Sequence, residues 1–327
     1  MKSIGLTASC LFLASALCYG ADLGVATIVD GSARVLRGTS WYKLVEGARI
    51  QDGDVIDSGE RSQVQIEFTA GPIVSFTGPA DIYAVAGGSR AGKQSTPAEI
   101  YLPQGWLKFS AKPAGIALRV RSPAGTIAAN DAVGVVHAEA EVLEAFMEQG
   151  SAQLIEPGKG GGDGNAHEIK GGDFAIRATD RPFATVGAAP QKFIAAMPRY
   201  FRDPLPTRAP QYQVARVQLA VDRPVSYAEA EPWLTSPYRR TFLKRFQPRL
   251  ADAEFRAPVV ARLQTYPEWQ AALAPQESQS KEKDKEKEKD KEKDKEKSKE
   301  KEKEKTEVAP KAAEKTGPTW WPFGTKK

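Results

Sequence analysis

Between Trp41 and Phe68 the chain places glycine at 47, 53 and 59, every sixth residue, with short apolar pairs between them. Glycine at that density weakens a helix. The rhythm fits very short strands joined by tight turns, whose corner residues adopt positive φ, a conformation glycine tolerates without steric cost. Gly47, Gly53 and Gly59 are therefore expected at turns. Asp54 is expected beside one as a structural residue, because an aspartate side chain can bond its own nearby backbone. After Gly59 the pattern becomes plain alternation, with Val64, Ile66 and Phe68 on one face and Gln63, Gln65 and Glu67 on the other. That predicts a half-buried strand.

The same texture extends to about residue 185. Apolar runs are four to six residues long and rich in β-branched side chains, as in Leu23–Val29 and Ala33–Leu36, which flank an Asp30-Gly31 hairpin signal. Residues 21–188 thus read as an all-β sandwich or roll of short strands. The Gly87–Thr96 segment and the glycine-rich Pro157–Gly164 segment read as its longest loops. The latter lacks the Lys-Ser/Thr and following helix of a phosphate loop, and it is one copy where calcium-binding repeats need many.

The ordered series Gly47-x-x-Ile50-x-x-Gly53-Asp54-x-Ile56-x-x-Gly59, the Gly71-Pro72 turn and Ile73-Val-Ser-Phe76 resembles the FecR domain of bacterial envelope proteins. The likeness continues through Glu99–Phe109, Leu118–Ile127 and Phe146–Ala152, covering roughly residues 24–178. It implies a periplasmic β domain. FecR-type sensors signal to a cytoplasmic sigma factor through an N-terminal arm and a membrane span. Here a signal peptide stands in place of both, so the resemblance implies a protein- or glycan-contacting β module rather than direct sigma-factor control.

Residues 1–20 read as that signal peptide, with Lys2, an apolar run from Ile4 to Leu17 too short to span a bilayer, and small residues before an expected cleavage after Gly20. Lipidation at Cys18 is the alternative, disfavoured by the bulky Leu17. Cys10 and Cys18 both fall inside this segment. The mature chain is then expected to use no disulfide, thiol nucleophile or cysteinyl metal site, and to be periplasmic or envelope-associated.

From Ala189 the chain becomes aromatic, Pro-punctuated and basic, with 13 Lys and Arg against 7 Asp and Glu over residues 190–275, whereas residues 21–189 have 15 against 20. Residues 189–275 read as a small, mostly helical α+β domain without a family resemblance of its own. Ser226-Tyr-Ala-Glu229 reads as a capping box and Ser236-Pro237 as a helix start. Helices are expected over Tyr227–Leu234, Pro237–Phe246 and Ala253–Gln264, the last kinked at Pro258, and one strand between Tyr212 and Val221. Residues 276–316 form a charged spacer. From Lys281 to Lys305 every odd position is Lys and every even one except Ser298 is acidic, so neither a helix nor a strand would bury apolar surface, and disorder is expected. Residues 317–327 then present Trp320, Trp321 and Phe323 as a docking peptide for a partner or a membrane surface.

Chemistry-bearing constellations are sparse. The two histidines, His137 and His167, sit in β segments, Asp52, Asp54 and Asp57 read as turn formers, and nothing has metal-ligand spacing. No cofactor, metal or nucleic-acid partner is expected. Three functions are weighed. The first is a non-enzymatic scaffold or signalling adaptor for envelope proteins. The second is a glycan or peptidoglycan binder stacking sugars on Trp41, Tyr42, Tyr101 and Trp106. The third is a cell-wall enzyme, which lacks a recognisable carboxylate pair.

Overall fold

A computed structural model of the chain describes residues 22–69, 71–85, 96–113, 115–158, 162–214 and 217–273. The expected signal peptide with Cys18 and Gly20, nearly all of the Gly87–Thr96 loop, the spacer, and the tip with Trp320, Trp321 and Phe323 lie outside those residues. The protein is mainly β with a few short helices towards its C-terminal end, as expected. It divides into two compact units, residues 1–259 and 260–327.

The strands of the first unit are β1 (Asp22–Asp30), β2 (Ala33–Arg37), β3 (Ser40–Lys43), β4 (Arg49–Gln51), β5 (Val55–Ser58), β6 (Gln63–Phe68), β7 (Ile73–Val85) and β8 (Ala98–Ala111). They continue with β9 (Leu118–Ser122), β10 (Gly125–Glu139), β11 (Val142–Pro157), β12 (Asp163–Lys170), β13 (Phe174–Ala178), β14 (Ala184–Val186) and β15 (Val221–Pro224). All belong to one hydrogen-bonded sheet folded over on itself. The folding is done by four long strands, β7, β8, β10 and β11, whose register shifts or exposed mid-strand residues mark a corner: Pro79, Gln104, Asn130-Asp131 and Gln149–Ser151 are exposed between buried halves.

The halves on either side of the corners form two leaves. Leaf I runs β4-β1-β6-β7-β8-β10-β11-β13-β14, using residues 73–77 of β7 and 105–111 of β8. Leaf II runs β15-β3-β2-β5-β7-β8-β9-β10-β11-β12, with a parallel pair at β8–β9 and antiparallel pairs elsewhere. One apolar core joins them, including Val35, Ile56, Ile82 and Val120 from leaf II and Ile50, Val64, Ile66 and Phe76 from leaf I. Each such side chain contributes about 2 kcal/mol by leaving water.

This topology gives the six-residue rhythm a meaning beyond tight turns. The chain passes from β3 in leaf II to β4 in leaf I at Gly47, back to β5 in leaf II at Gly53, and across to β6 in leaf I at Gly59. Gly47 and Gly53 have φ of 81° and 84°. Gly59 lies outside the left-handed region, where the following Arg61 at 58° supplies the corner. A Cβ on Gly59 would meet the Ser32 carbonyl oxygen at 3.2 Å, and the tighter approach is at Gly78, at the β7 corner, whose Cβ would lie 2.1 Å from the Gly59 carbonyl oxygen. Asp30-Gly31 likewise joins the leaves rather than making a hairpin, since β1 pairs with β4 and β6 while β2 pairs with β3 and β5.

Two other expectations are corrected. Strand β6 is buried on both faces, with Gln65 fully inaccessible and Glu67 5% exposed. The expected strand before Val221 starts only there, where β15 finds the open edge of β3; residues 209–212 form a 3-10 turn instead.

The helices of the first unit are α1 (Gln191–Ala196), α2 (Tyr227–Thr235) and α3 (Arg239–Phe246), followed by α4 (Ala253–Leu263), which runs through the unit boundary. The capping box forms at α2, where Ser226 N–H donates to Glu229 Oε2 at 3.1 Å. Ser236 ends α2, and its Oγ accepts from Tyr238 N–H at 3.1 Å ahead of α3. Helix α1 is short, begins after Pro190 and has no side-chain cap, which explains its silence in the sequence. In the second unit, α5 (Pro267–Leu273) starts with a Trp269 N–H bond to the Tyr266 carbonyl at 3.0 Å. Among the described residues no helix is long and apolar enough to cross a membrane.

Candidate functional site

Residues 190–214 and 225–246 lie on the outer faces of both leaves, and the leaf crossings are among the places they touch. Gly47 makes room for the Tyr212 ring, which a Cβ would meet at 3.0 Å. The Gly53 carbonyl accepts a bond from the Arg245 guanidinium. Asp54, beside it, is buried. It accepts both Nε and an NH2 group of Arg37, at 3.0 and 2.6 Å, and the Gln51 N–H at 2.8 Å. Burial raises its pKa, and the Arg37 bonds oppose the rise.

The outer face of leaf I carries a cross-strand row: Gln65, Ser75, Lys108, Val135, Phe146 and Phe174 are successive register partners. Its apolar end is covered by Phe193 of α1 and by Phe201, which pack with Val135 and Phe174. The Phe193 ring lies 5.0 Å from Phe174 and 5.1 Å from Trp106. Its polar end binds main chain. Lys108 Nζ, 1% exposed, donates to the carbonyls of Phe201 (2.7 Å) and Asp203 (3.1 Å) and pairs with Glu148 at 2.8 Å. Gln65 Nε2 donates to the Pro206 carbonyl at 2.9 Å, and Glu67 Oε1 accepts the Arg208 N–H at 2.6 Å. These partners explain why the polar face of β6 is buried: a polar group enters the interior when its hydrogen bonds are met there.

The outer face of leaf II is covered by α2 and α3 through aromatic rings. Tyr83 and Tyr101 are cross-strand partners. Tyr83 lies 5.0 Å from both Tyr238 and Phe242, and Tyr101 5.1 Å from Tyr238. The Tyr238 hydroxyl donates to Glu99, whose carboxylate also faces Arg119 at 3.7 Å. Burial raises the Tyr101 phenol to about 12. Towards the N-terminus of α2 lies an ionic row that sequence reasoning missed. Arg34, Asp57 and Asp81 are register partners on three adjacent strands. Arg34 binds Asp57, with Nε to Oδ2 at 3.1 Å, and reaches Glu229 of α2 at 3.3 Å. Arg223 holds the same Glu229 at 2.7 and 2.8 Å, drawing its pKa down to about 2. Burial, then the Asp57 charge, pushes Asp81 up to about 7. Only the strand register, invisible in the sequence, brings these carboxylates together.

The other singled-out residues are placed as follows. Trp41 and Tyr101 are buried, and Tyr42 and Trp106 are half-buried, so these four form no exposed stacking line. His137 stacks on Trp106 with centroids 4.2 Å apart and bonds Glu144 at 2.9 Å, and His167 lies 3.5 Å from Glu156. Among the described residues no group of three or more His, Cys, Asp and Glu side chains is placed to hold a metal ion.

Fold and faces together define a folded-over β roll whose outer faces are covered by later segments of the same unit, among them α1 to α3. No protein-family profile and no curated protein matches the chain. Two crystal structures titled as a "putative anti-sigma factor" from Parabacteroides distasonis ATCC 8503 align with 43% of this chain at 14% identity and a TM-score of 0.34. The alignments cover 63% and 62% of those proteins, less than two thirds of their length. At that identity and score the likeness has no bearing on function.

Proposed function

We propose that this chain is a non-enzymatic adaptor of the bacterial envelope, a FecR-like β roll that binds other proteins, exported by its N-terminal segment and carrying an aromatic tip on a charged tether. The observation that supports it best is the chemistry of the two outer faces. Leaf II grips helices through Tyr83 and Tyr101, and leaf I grips an extended main chain through Lys108, Gln65 and Glu67. Both are ways of binding polypeptide. Glycan binding would need exposed aromatic platforms, which Trp41, Tyr42, Tyr101 and Trp106 do not provide. Arg34 bonds both Asp57 and Glu229 of α2, which suits this row to holding the helix.

The test is site-specific photo-crosslinking in intact cells from an exposed position such as Gln211, with and without residues 317–327. The expected result is discrete protein adducts whose yield falls when the tip is removed. Adducts to glycan alone, or none in either form, would overturn the adaptor reading.

A further inference from the structure

Residues 202–214 are held in an unusual way. None of their side chains is buried, yet Phe201 before them and Val225 beyond them are fully buried. The segment is a strap between two anchors. Beneath it the buried groups of leaf I address its backbone: Lys108 takes the carbonyls of residues 201 and 203, Gln65 that of residue 206, and Glu67 the N–H of residue 208. Prolines stand at 204, 206 and 210, where no N–H is needed. Proline also disfavours helix in the residue before it, so residues 203–206 are predisposed to an extended path ahead of the 3-10 turn at residues 209–212. A segment with few buried apolar contacts opens locally at low cost, while its anchors stay in place.

We infer that the polar end of leaf I is a peptide-binding bed, that residues 202–214 occupy it as a built-in competitor, and that its partner is an extended, proline-bearing segment of another protein. The inference rests on the adaptor reading and adds to it the class of partner and the means of restraint. Recognition is by main-chain carbonyls at relative positions 0 and 3 and an N–H at 5, the spacing of residues 203, 206 and 208 in the strap. The Arg208 and Tyr212 side chains add bonds to Thr27 and Glu46, and pre-ordering by proline lowers the entropic cost of binding. A partner competes with a tethered strap at high effective concentration, so the intact chain binds weakly until the strap lifts.

The experiment uses a fluorescein-labelled peptide with the sequence of residues 202–214 and fluorescence anisotropy. In one full-length variant, residues 202–214 are replaced by a Gly/Ser linker of equal length, which keeps the Lys108 bond to the Phe201 carbonyl but gives up the proline pre-ordering and the Arg208 and Tyr212 side-chain bonds, so the rest of the bed is open to the peptide. This variant should bind the peptide at least tenfold more tightly than the unaltered chain, and adding Gln65→Ala should weaken that binding several-fold. In a second variant, Arg208→Pro, the N–H that Glu67 accepts is removed together with the Arg208 guanidinium's contacts to Thr27 and Glu46, while the bed is intact. It should raise peptide affinity and speed amide exchange of residues 207–213, and it decides the matter if the linker variant does not fold. A linker variant that melts like the unaltered chain but fails to bind would overturn the inference. So would equal affinity in the unaltered and the opened chain. Protein adducts in cells together with either result would leave the adaptor reading standing and remove only the strap.

Discussion

Replacing Asp81 by Asn isolates the least favourable charge in the ionic row. Asp81 faces Asp57 from β5, its register partner, together with Arg34 from β2 and Glu229 from α2; Arg34 bonds Asp57 and Glu229, and Arg223 takes up Glu229 as well, so Asp81 is left with the weakest compensation. Its pKa stands at about 7 against 3.8 for the free side chain. The folded chain therefore holds one more proton than the unfolded chain between those limits. Stability must then fall as pH rises from about 4 to 7 and level off above. A tenfold change in ionisation is worth about 1.4 kcal/mol, so the gap sets a ceiling of about 4 kcal/mol. Asp81 is half-buried, and solvent and relaxation reduce the working figure to about 2 kcal/mol. Asn reproduces the protonated group and does not titrate. Carboxylates held below their ordinary range, Glu229 by Arg223 and Asp163 by Arg119, lose their contributions only as pH falls below about 4.5, outside this window. Urea unfolding at pH 5, 6, 7 and 8 should show the variant within about 1 kcal/mol of the parent at pH 5 and about 2 kcal/mol more stable at pH 8. Parallel stability profiles for the two proteins across that range would refute the assignment of the repulsion to Asp81.

Gly53→Val should destabilise the first unit by about 1 to 3 kcal/mol, because φ is 84° and a Cβ would lie 2.7 Å from the Arg245 guanidinium; an unchanged melting temperature would show the crossing to be tolerant there. Lys108→Met leaves Glu148 and two carbonyls without their buried cation, so it should cost about 2 kcal/mol and speed amide exchange over residues 199–208. Exchange confined to its original rate would mean that Lys108 does not hold the strap. Changing Trp320, Trp321 and Phe323 together to Ser should release the protein from its partner or membrane without altering melting, while scrambling the spacer at constant composition should do little. Unaltered localisation and partners, or a lowered melting temperature, would make the tip a contact within the chain.

What the sequence discloses and conceals here follows from the range of the interactions. Local rules are legible. The Ser226–Glu229 box marks the start of α2, and Phe242 and Phe246 form the buried face their spacing suggests. The glycines at 47 and 53 adopt the positive φ that glycine enters without steric cost. Partner choice is another matter. A strand's alternation says which residues share a face, but not which leaf the strand joins, so the shuttling of β3 to β6 between leaves and the meeting of Asp57 with Asp81 arise only from pairing at a distance. The deepest misreading, Gln63, Gln65 and Glu67 as a solvent face, has the same origin. A polar side chain on a strand is compatible with water or with a chain segment that satisfies it, and for Gln65 and Glu67 the satisfying groups include a carbonyl and an N–H 141 residues away. Backbone atoms carry no sequence signature. A surface that recognises main chain is therefore nearly silent in both partners' sequences. In this protein the faint trace is a pair of facts: uncompensated polar alternation in β6, and a proline-punctuated stretch at 204–210 that neither a helix nor a strand would choose.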